Sequence, residues 1–353
     1  MTNKPFRVLM VTGIYPTEQK PHSGTFIKSQ VDSLIDAGLE VEVLHPKPGP
    51  SPLRYAAATI KVFLKTLTGH FDVVHGHYGQ WCLIARMQWT TPVVSSFLGS
   101  DLRGAVTAYK GYLSPRQGYR MKAAIEGGIS RWLCKRVDAV IVKSQEMQKT
   151  TPLSADNVLV IPNGVDFELF HPIPRAEARA ALGWEQDRYY VLFGNNPQIR
   201  VKNFPLAQAA IERLRARGIS AELVVANGLP QTTVVQYMNA SNALILSSLA
   251  EGSPNLVKEA MACNVPVVST DVGDVFQVIG HTKGCSVCSH DPEALAAALE
   301  QAIQHTGPTT GRTDIMHLDR RVIAKQVIAI YEKVTSKRHH YLEEDYVGIL
   351  TEH

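Results

Sequence analysis

Two glutamates, Glu251 and Glu259, enclose the stretch EGSPNLVKEAMACNVPVVSTDVGDV at positions 251 to 275. The apolar run Ala243-Leu244-Ile245-Leu246 before it reads as a buried parallel strand ending in a loop. Ser253 and Pro254 suit an N-cap and a first helical position. The spacing predicts a helix to about Cys263 and a new strand over Val265 to Ser269. Polar residues thus gather beyond a strand's C-terminal end, where open α/β sheets bind ligands. Asn255 and Glu259 lie four apart on one helix face, and Glu251 precedes the first turn. A carboxylate so placed can hold hydroxyls beside a helix N-terminus that favours phosphate. Hydroxyls next to phosphate suggest a nucleotide-sugar. The plainer reading is two solvated carboxylates around a helix start, where acids are favoured anyway.

Cleaving a sugar–diphosphate bond leaves negative charge that must be stabilised. Arg200-Val201-Lys202, after the strand Tyr189 to Phe193, supplies two cations. Read as an extended segment, it points both to one side. Gly24, ahead of a helix with Ile27, Val31 and Leu34 on its apolar face, lets backbone amides approach a phosphate. His75 and His77 follow a strand end and alternate onto one face; a buried, hydrogen-bonded histidine is the plain reading of His75. Ser144 and Ser247 lack a companion His–Asp arrangement, which disfavours hydrolase chemistry of the serine type.

These groups need a scaffold, and strands alternate with helices along the whole chain, which predicts parallel sheets covered on both faces. Strands are expected at Phe6–Thr12, Glu40–Leu44, Phe71–His75, Pro92–Phe97, Ala139–Val142 and Val158–Ile161. A turn-rich break at Pro162-Asn163-Gly164 ends the first set, and a second unit opens at Tyr189. Only one helix fits between the strands at Ala221–Val225 and Ala243–Leu246. Leu318 to Val334 is amphipathic, with Val322, Val327, Ile330 and Val334 available for packing. The expected division is 1–165, 166–313, a crossover helix at 314–334, and a terminal appendage at 335–353.

At 353 residues, 45% hydrophobic and 19% charged, the chain has a globular profile with room for two domains. No window approaches eighteen uninterrupted apolar residues, and Met1 to Pro5 carries no apolar signal region, so a cytoplasmic protein is expected. Five cysteines do not suggest a disulfide framework, and the lone pair Cys285 and Cys288 falls short of a zinc site. No carboxylate cluster of the metal-binding kind is evident. Net charge is +8 over residues 1–165 and −4 over 166–353. Bases and aromatics interleave from Tyr109 to Arg136, through Lys110, Arg116, Arg120 and Lys122. A solvated helix face explains that segment, as does docking to an anionic membrane or a lipid-phosphate acceptor. No nucleic-acid-binding motif is present, so nucleic acid is not an expected partner.

Glu251, seven residues, Glu259, Ala260-Met261-Ala262 and the Pro266-Val267-Val268 strand together resemble the signature of retaining glycosyltransferases of family 4. Pro162 to Asp166 resembles the hinge of that family. Thr12-Gly13-Ile14-Tyr15-Pro16 with Gly24-Thr25-Phe26 resembles bacterial members that build surface polysaccharides. The resemblance implies a GT-B fold: two Rossmann-like parallel-sheet domains face each other across a cleft, and the last helix crosses back to the first. It implies Glu259 on the ribose, Glu251 on the donor sugar, and Arg200 and Lys202 on the diphosphate with Gly24, Asn255 and Leu256. Ser253, Gly228 and Leu229 are assigned to the sugar or base. Asp101 and His77 join Glu251 as reacting-centre residues; Leu98 stands where the family carries a histidine. The implied co-substrate is a UDP- or GDP-linked sugar, with no metal or other cofactor, and the acceptor is a saccharide or lipid-linked. A peripheral site at the inner face of the cytoplasmic membrane is compatible with this. The competing readings are a GT-B sugar-nucleotide epimerase and a non-catalytic GT-B binding subunit.

Overall fold

The computed structural model describes residues 5–46, 51–99, 101–102, 117–153, 158–305 and 307–350. Part of the basic and aromatic segment, residues 109–116, therefore lies outside the described residues. In the first half, strands β1 (Arg7–Thr12), β2 (Glu40–Leu44), β3 (Val73–His77), β4 (Val93–Ser96), β5 (Ala139–Val142) and β6 (Val158–Val160) form one parallel sheet. Its order is β2-β1-β3-β4-β5-β6. Helices α1 (Thr25–Asp36), α2 (Ser51–Thr68), α3 (Gly79–Arg86), α4 (Gln117–Cys134) and α5 (Gln145–Gln148) connect the strands. The core strands are apolar without alternation because both faces are covered; β5, AVIV, is buried at every position.

The second half repeats the plan with β7 (Tyr189–Phe193), β8 (Ala221–Val225), β9 (Ala243–Leu246), β10 (Val267–Thr270) and β11 (Ser286–Cys288), ordered β11-β10-β9-β7-β8. One short helix, α6 (Arg175–Leu182), precedes this sheet, and α7 (Phe204–Ala216), α8 (Gln231–Ala240), α9 (Asn255–Ala262), α10 (Val275–Ile279) and α11 (Pro292–Gln304) complete it. The single helix expected between β8 and β9 is α8. The two parallel-sheet, Rossmann-like units confirm the α/β architecture expected from the sequence.

After the short α12 (Gly311–Asp314), the long α13 (Arg320–Leu350) returns to the first unit and packs on α1. Its return is clipped by two backbone bonds, Val165 N–H to the Leu318 carbonyl and Arg320 N–H to the Val165 carbonyl, both 2.9 Å. Val327, Ile330 and Val334 are buried as expected, but Val322 is 38% exposed. Ile323, Ala324 and Tyr331 fill the inner face instead. The helix also runs through Leu350, so residues 335–350 continue it rather than forming a separate appendage. Among the described residues no helix is long and apolar enough to cross a membrane.

Candidate active site

The C-terminal ends of both sheets face the interdomain cleft. At the end of β9, the Ser247 hydroxyl donates to the carbonyls of Lys202 (3.1 Å) and Asn203 (3.0 Å), and Leu249 N–H donates to the Val201 carbonyl (2.8 Å). These bonds hold Arg200–Lys202 as a single 3₁₀ turn, not the extended segment expected from the sequence. At three residues per turn, neighbours two apart diverge. Arg200 accordingly is exposed, while Lys202 turns inward and places Nζ 2.6 Å from Glu251 Oε1. The Ser248 hydroxyl donates to the same oxygen at 2.7 Å. A cation and a carboxylate, 22% and 13% exposed, are thus preset at one strand end.

Helix α9 starts beside them. Pro254, not Ser253, occupies its N-cap, and the Ser253 hydroxyl donates to Asp274 Oδ2 at 2.6 Å. Asn255 Oδ1 accepts from Asn163 Nδ2 at 3.3 Å, joining the helix start to the hinge. Glu259, one turn on, is half-buried, and desolvation pushes its carboxyl up to about 7 against the pull of Lys258. Glu259, Asn255 and Gln231 share a cavity of about 120 Å³ with Thr25, Phe26 and Arg320. Glu259 therefore meets the first turn of α1, whose N-cap is Gly24. That glycine has φ 72°, and a Cβ there would sit 2.8 Å from the Ile14 carbonyl, so no other residue fits without strain. Gly228 faces the same loop, with His22 as its near neighbour at 3.8 Å from an added Cβ. Leu229 and Leu256 pack on the core close by.

Glu251 opens elsewhere, into a cavity of about 310 Å³ shared with Leu102, Arg131, Glu146 and Gly273. The two domains touch where Gly252 meets Leu98; a Cβ on Gly252 would stand 2.6 Å from the Leu98 carbonyl oxygen. The structure thus brings Gly24, Asn255 and Glu259 together, and Lys202 with Glu251, in separate parts of the cleft.

On the opposite wall, His75 Nδ1 meets the Tyr331 hydroxyl at 2.6 Å and Nε2 meets the Ser96 hydroxyl at 2.8 Å. Burial and the Lys143 charge hold its pKa down to about 3. Both ring nitrogens are occupied, so His75 ties α13 to the sheet. His77 is equally buried, yet neither ring nitrogen has a partner among the described residues. Desolvation, and then His75 at a ring separation of 4.2 Å, push its pKa well below the ordinary range. His77 therefore stands as a neutral imidazole inside the first domain. Asp101 is not so placed: its carboxylate accepts from the backbone N–H groups of Gly79, Leu98, Gly99 and Leu102. Burial still raises its pKa. Its observed task is to hold the backbone at Leu98, Gly99 and Leu102 and to take the first N–H of α3.

Two lysines were missed in the sequence. Lys143, one residue past β5, is buried and pushed down to about 7 by desolvation and then by Lys258. Lys258 is completely buried on α9, donates to the Asn163 carbonyl at 3.0 Å, and is pushed down to about 8 by burial. Lys143 lines a cavity of about 490 Å³ with Ser144, Asp271 and Asp274. Lys143's position at a strand end was the signal; Lys258 sits in an otherwise ordinary helix pattern. Cys285, by contrast, uses its sulfur to accept from Val267 N–H at 3.3 Å.

Two α/β domains, a clipped crossover helix and a cleft between strand ends are the architecture of the GT-B fold. A profile described as "Glycosyltransferase Family 4" matches residues 11–169, and one described as "Glycosyl transferases group 1" matches 177–305. The chain belongs to this family of glycosyltransferases. Similar proteins include TuaC of Bacillus subtilis (strain 168), named as a teichuronic acid biosynthesis glycosyltransferase. It is 24% identical over 356 residues, covering 83% of this chain and 88% of TuaC. The D-inositol 3-phosphate glycosyltransferase of Paenarthrobacter aurescens is 22% identical over 345 residues, covering 78% and 82%. Sucrose-phosphate synthase from Thermosynechococcus elongatus shares the fold with a TM-score of 0.73 at 19% identity, over 95% of this chain and 100% of that one. HepE of Anabaena, solved in complex with UDP and glucose, gives a TM-score of 0.61 at 17% identity, with 95% and 100% covered.

Proposed function

We propose that this glycosyltransferase moves a hexose-type sugar from a UDP- or GDP-linked donor to a saccharide or lipid-linked acceptor, with retention of configuration, in polysaccharide or glycoconjugate assembly. The observation that carries this reading is the preset Lys202–Glu251 pair on a turn bonded to the end of β9, next to the start of α9. An arriving diphosphate takes Lys202 as its counter-ion, and Glu251 is released to accept from a sugar hydroxyl. Glu259 accepts from the ribose, and the N-termini of α9 and α1 supply favourable potential for phosphate. His77 serves as a neutral hydrogen-bonding group at the sugar. The acceptor proton passes to the leaving phosphate oxygen on the same face of the sugar, so no side chain forms a covalent intermediate. With Lys202 countering the diphosphate, the transfer proceeds without a divalent ion. The name of TuaC and the UDP and glucose of the HepE structure support the assignment to sugar transfer in polymer assembly.

The test is a panel of nucleotide-sugars with saccharide and lipid-phosphate acceptors, in EDTA and in Mg²⁺, with the product's anomeric configuration read by NMR. A retained anomer formed equally in EDTA is expected. An inverted product, absolute metal dependence, or epimerised donor without transfer each overturns a stated part of the reading. Donor binding with no turnover across the panel favours the non-catalytic subunit.

A further inference from the structure

Two groups of opposite hydrogen-bonding character line one cavity from different domains. Lys143, one residue past β5, is 4% exposed, and its ammonium has no hydrogen bond or ion pair among the described residues. Asp274 stands across from it at the N-cap position of α10, yet its side chain caps none of that helix's N–H groups. Its Oδ2 accepts from the Ser253 hydroxyl, while its buried Oδ1 has no partner among the described residues. A charged group buried without a hydrogen-bond partner is destabilising, so an unused donor and an unused acceptor in one cavity need an explanation.

The cavity measures about 490 Å³, within the range of small-molecule sites. Its exposed residues are Glu146 and Lys149 from the first domain and Asp271 and Gln277 from the second. Their charges decide what suits it. A phosphate or carboxylate drawn to Lys143 and Lys149 would meet Glu146, Asp271 and Asp274. A metal cation drawn to those acids would meet Lys143. A hydroxyl suffers neither repulsion, because its oxygen accepts from an ammonium while its proton goes to a carboxylate. A wall of mixed donors and acceptors with nearly balanced charge therefore fits a neutral polyol, which here means a sugar. Glu146, Asp271 and Gly273 also line the cavity of about 310 Å³ into which Glu251 opens, so the two spaces adjoin.

We infer that this cavity is a saccharide subsite, in which Lys143 and Asp274 hold the hydroxyls of one acceptor sugar from opposite domains. The sugar's role as acceptor rests on the transferase reading above; its binding rests on the cavity alone. The subsite selects an uncharged sugar, and it makes the second domain a partner in holding the acceptor as well as the donor.

The experiment is saturation-transfer NMR on the full chain with glucose, galactose, mannose, N-acetylglucosamine and cellobiose, each with and without UDP. Saturation transfer to at least one of them is expected, and titration gives its dissociation constant. Lys143→Met and Asp274→Asn should each weaken that sugar by about tenfold or more, since each removes a hydrogen bond to a charged group. Asparagine keeps an oxygen for the Ser253 hydroxyl, and the melting temperature of each variant checks that it is folded. No saturation transfer to any of the five sugars overturns the inference, as does unchanged binding by either folded variant. Tighter binding of glucuronate or inorganic phosphate than of the neutral sugars assigns an anion site and also overturns it. UDP affinity of the parent chain, measured by calorimetry, reports separately on the donor reading. Sugar bound without UDP leaves the subsite standing and removes its role in transfer; UDP bound without sugar removes the subsite alone.

Discussion

Replacing Lys202 by Met separates the two partners that this lysine is built to serve. In the unliganded protein its ammonium sits 2.6 Å from Glu251. The Coulomb attraction at that distance is about 1.6 kcal/mol at the dielectric of water and about 6 kcal/mol at an effective dielectric of 20. Desolvation of the two groups, 22% and 13% exposed, offsets most of the larger figure. The expected loss of stability is about 1–2 kcal/mol, because Glu251 keeps the Ser248 hydroxyl. The loss in donor affinity is larger, since a charge-assisted bond to phosphate is worth about 1.5–3 kcal/mol, or roughly tenfold to a hundredfold. Calorimetry with UDP and GDP measures the affinity and urea unfolding the stability. Adding Glu251→Gln to Lys202→Met removes the stranded carboxylate, so the double variant recovers most of the stability and none of the affinity. If the single variant binds both diphosphates as tightly as the parent, or the double variant restores binding, Lys202 is a structural partner of Glu251 and nothing more.

Glu259→Gln should flatten the pH dependence of melting. A carboxyl raised to about 7 in the folded state contributes stability that is full below its unfolded value and is lost as pH rises towards 7. The variant should then be more stable than the parent at pH 8, by about 1–3 kcal/mol, and should bind nucleotide more weakly. Lys143→Met should raise stability at pH 7. The buried amine, lowered to about 7, leaves the folded state with fewer bound protons than the unfolded chain, so parental stability climbs between about pH 7 and pH 10; a variant that melts lower at pH 7, or retains that climb, refutes the assignment. Tyr331→Phe leaves His75 Nδ1 without its donor or acceptor inside the core and should cost about 1–3 kcal/mol. Hydrogen exchange over 320–334 should show the crossover helix opening sooner; unchanged protection counts against the tie.

Much of this architecture was legible because buried parallel strands are short unbroken apolar runs. Ala139–Val142, Tyr189–Phe193 and Ala243–Leu246 fall where the sequence put them, as do the edge strands Glu40–Leu44 and Ala221–Val225, which carry glutamates and are only partly buried. Strand β3 was harder: His75, Gly76 and His77 are polar or small, yet backbone pairing with β1 carries the strand through His77. The turn at Arg200 was misread because a 3₁₀ turn has no hydrophobic signature; bonds from Ser247 and Leu249, more than forty residues away, create it. Ser253 looked like a cap, but Asp274 offers its hydroxyl a charged acceptor from another loop. Lys143 and Lys258 acquire their character chiefly from burial, with Lys258 adding its charge to Lys143 from across the domain boundary, and local pattern encodes neither. No helix was expected over Ser51–Thr68, although apolar residues at 53, 60, 64 and 67 recur there at helical spacing.

The crossover clip also dictates when the protein can become whole. Tyr331 stacks on Phe6 at 6.1 Å and bonds to His75, so part of the first domain's core is supplied by residues near the far end of the chain. During synthesis β1 and β3 emerge early, yet the side chain that seals them leaves the ribosome more than two hundred and fifty residues after His75. Until then the face of the sheet that receives α13 stays uncovered, in a chain whose second domain has already formed. Such a gap is where trapped intermediates and association between nascent chains arise. Removing the last helix would therefore damage the opposite end of the molecule first.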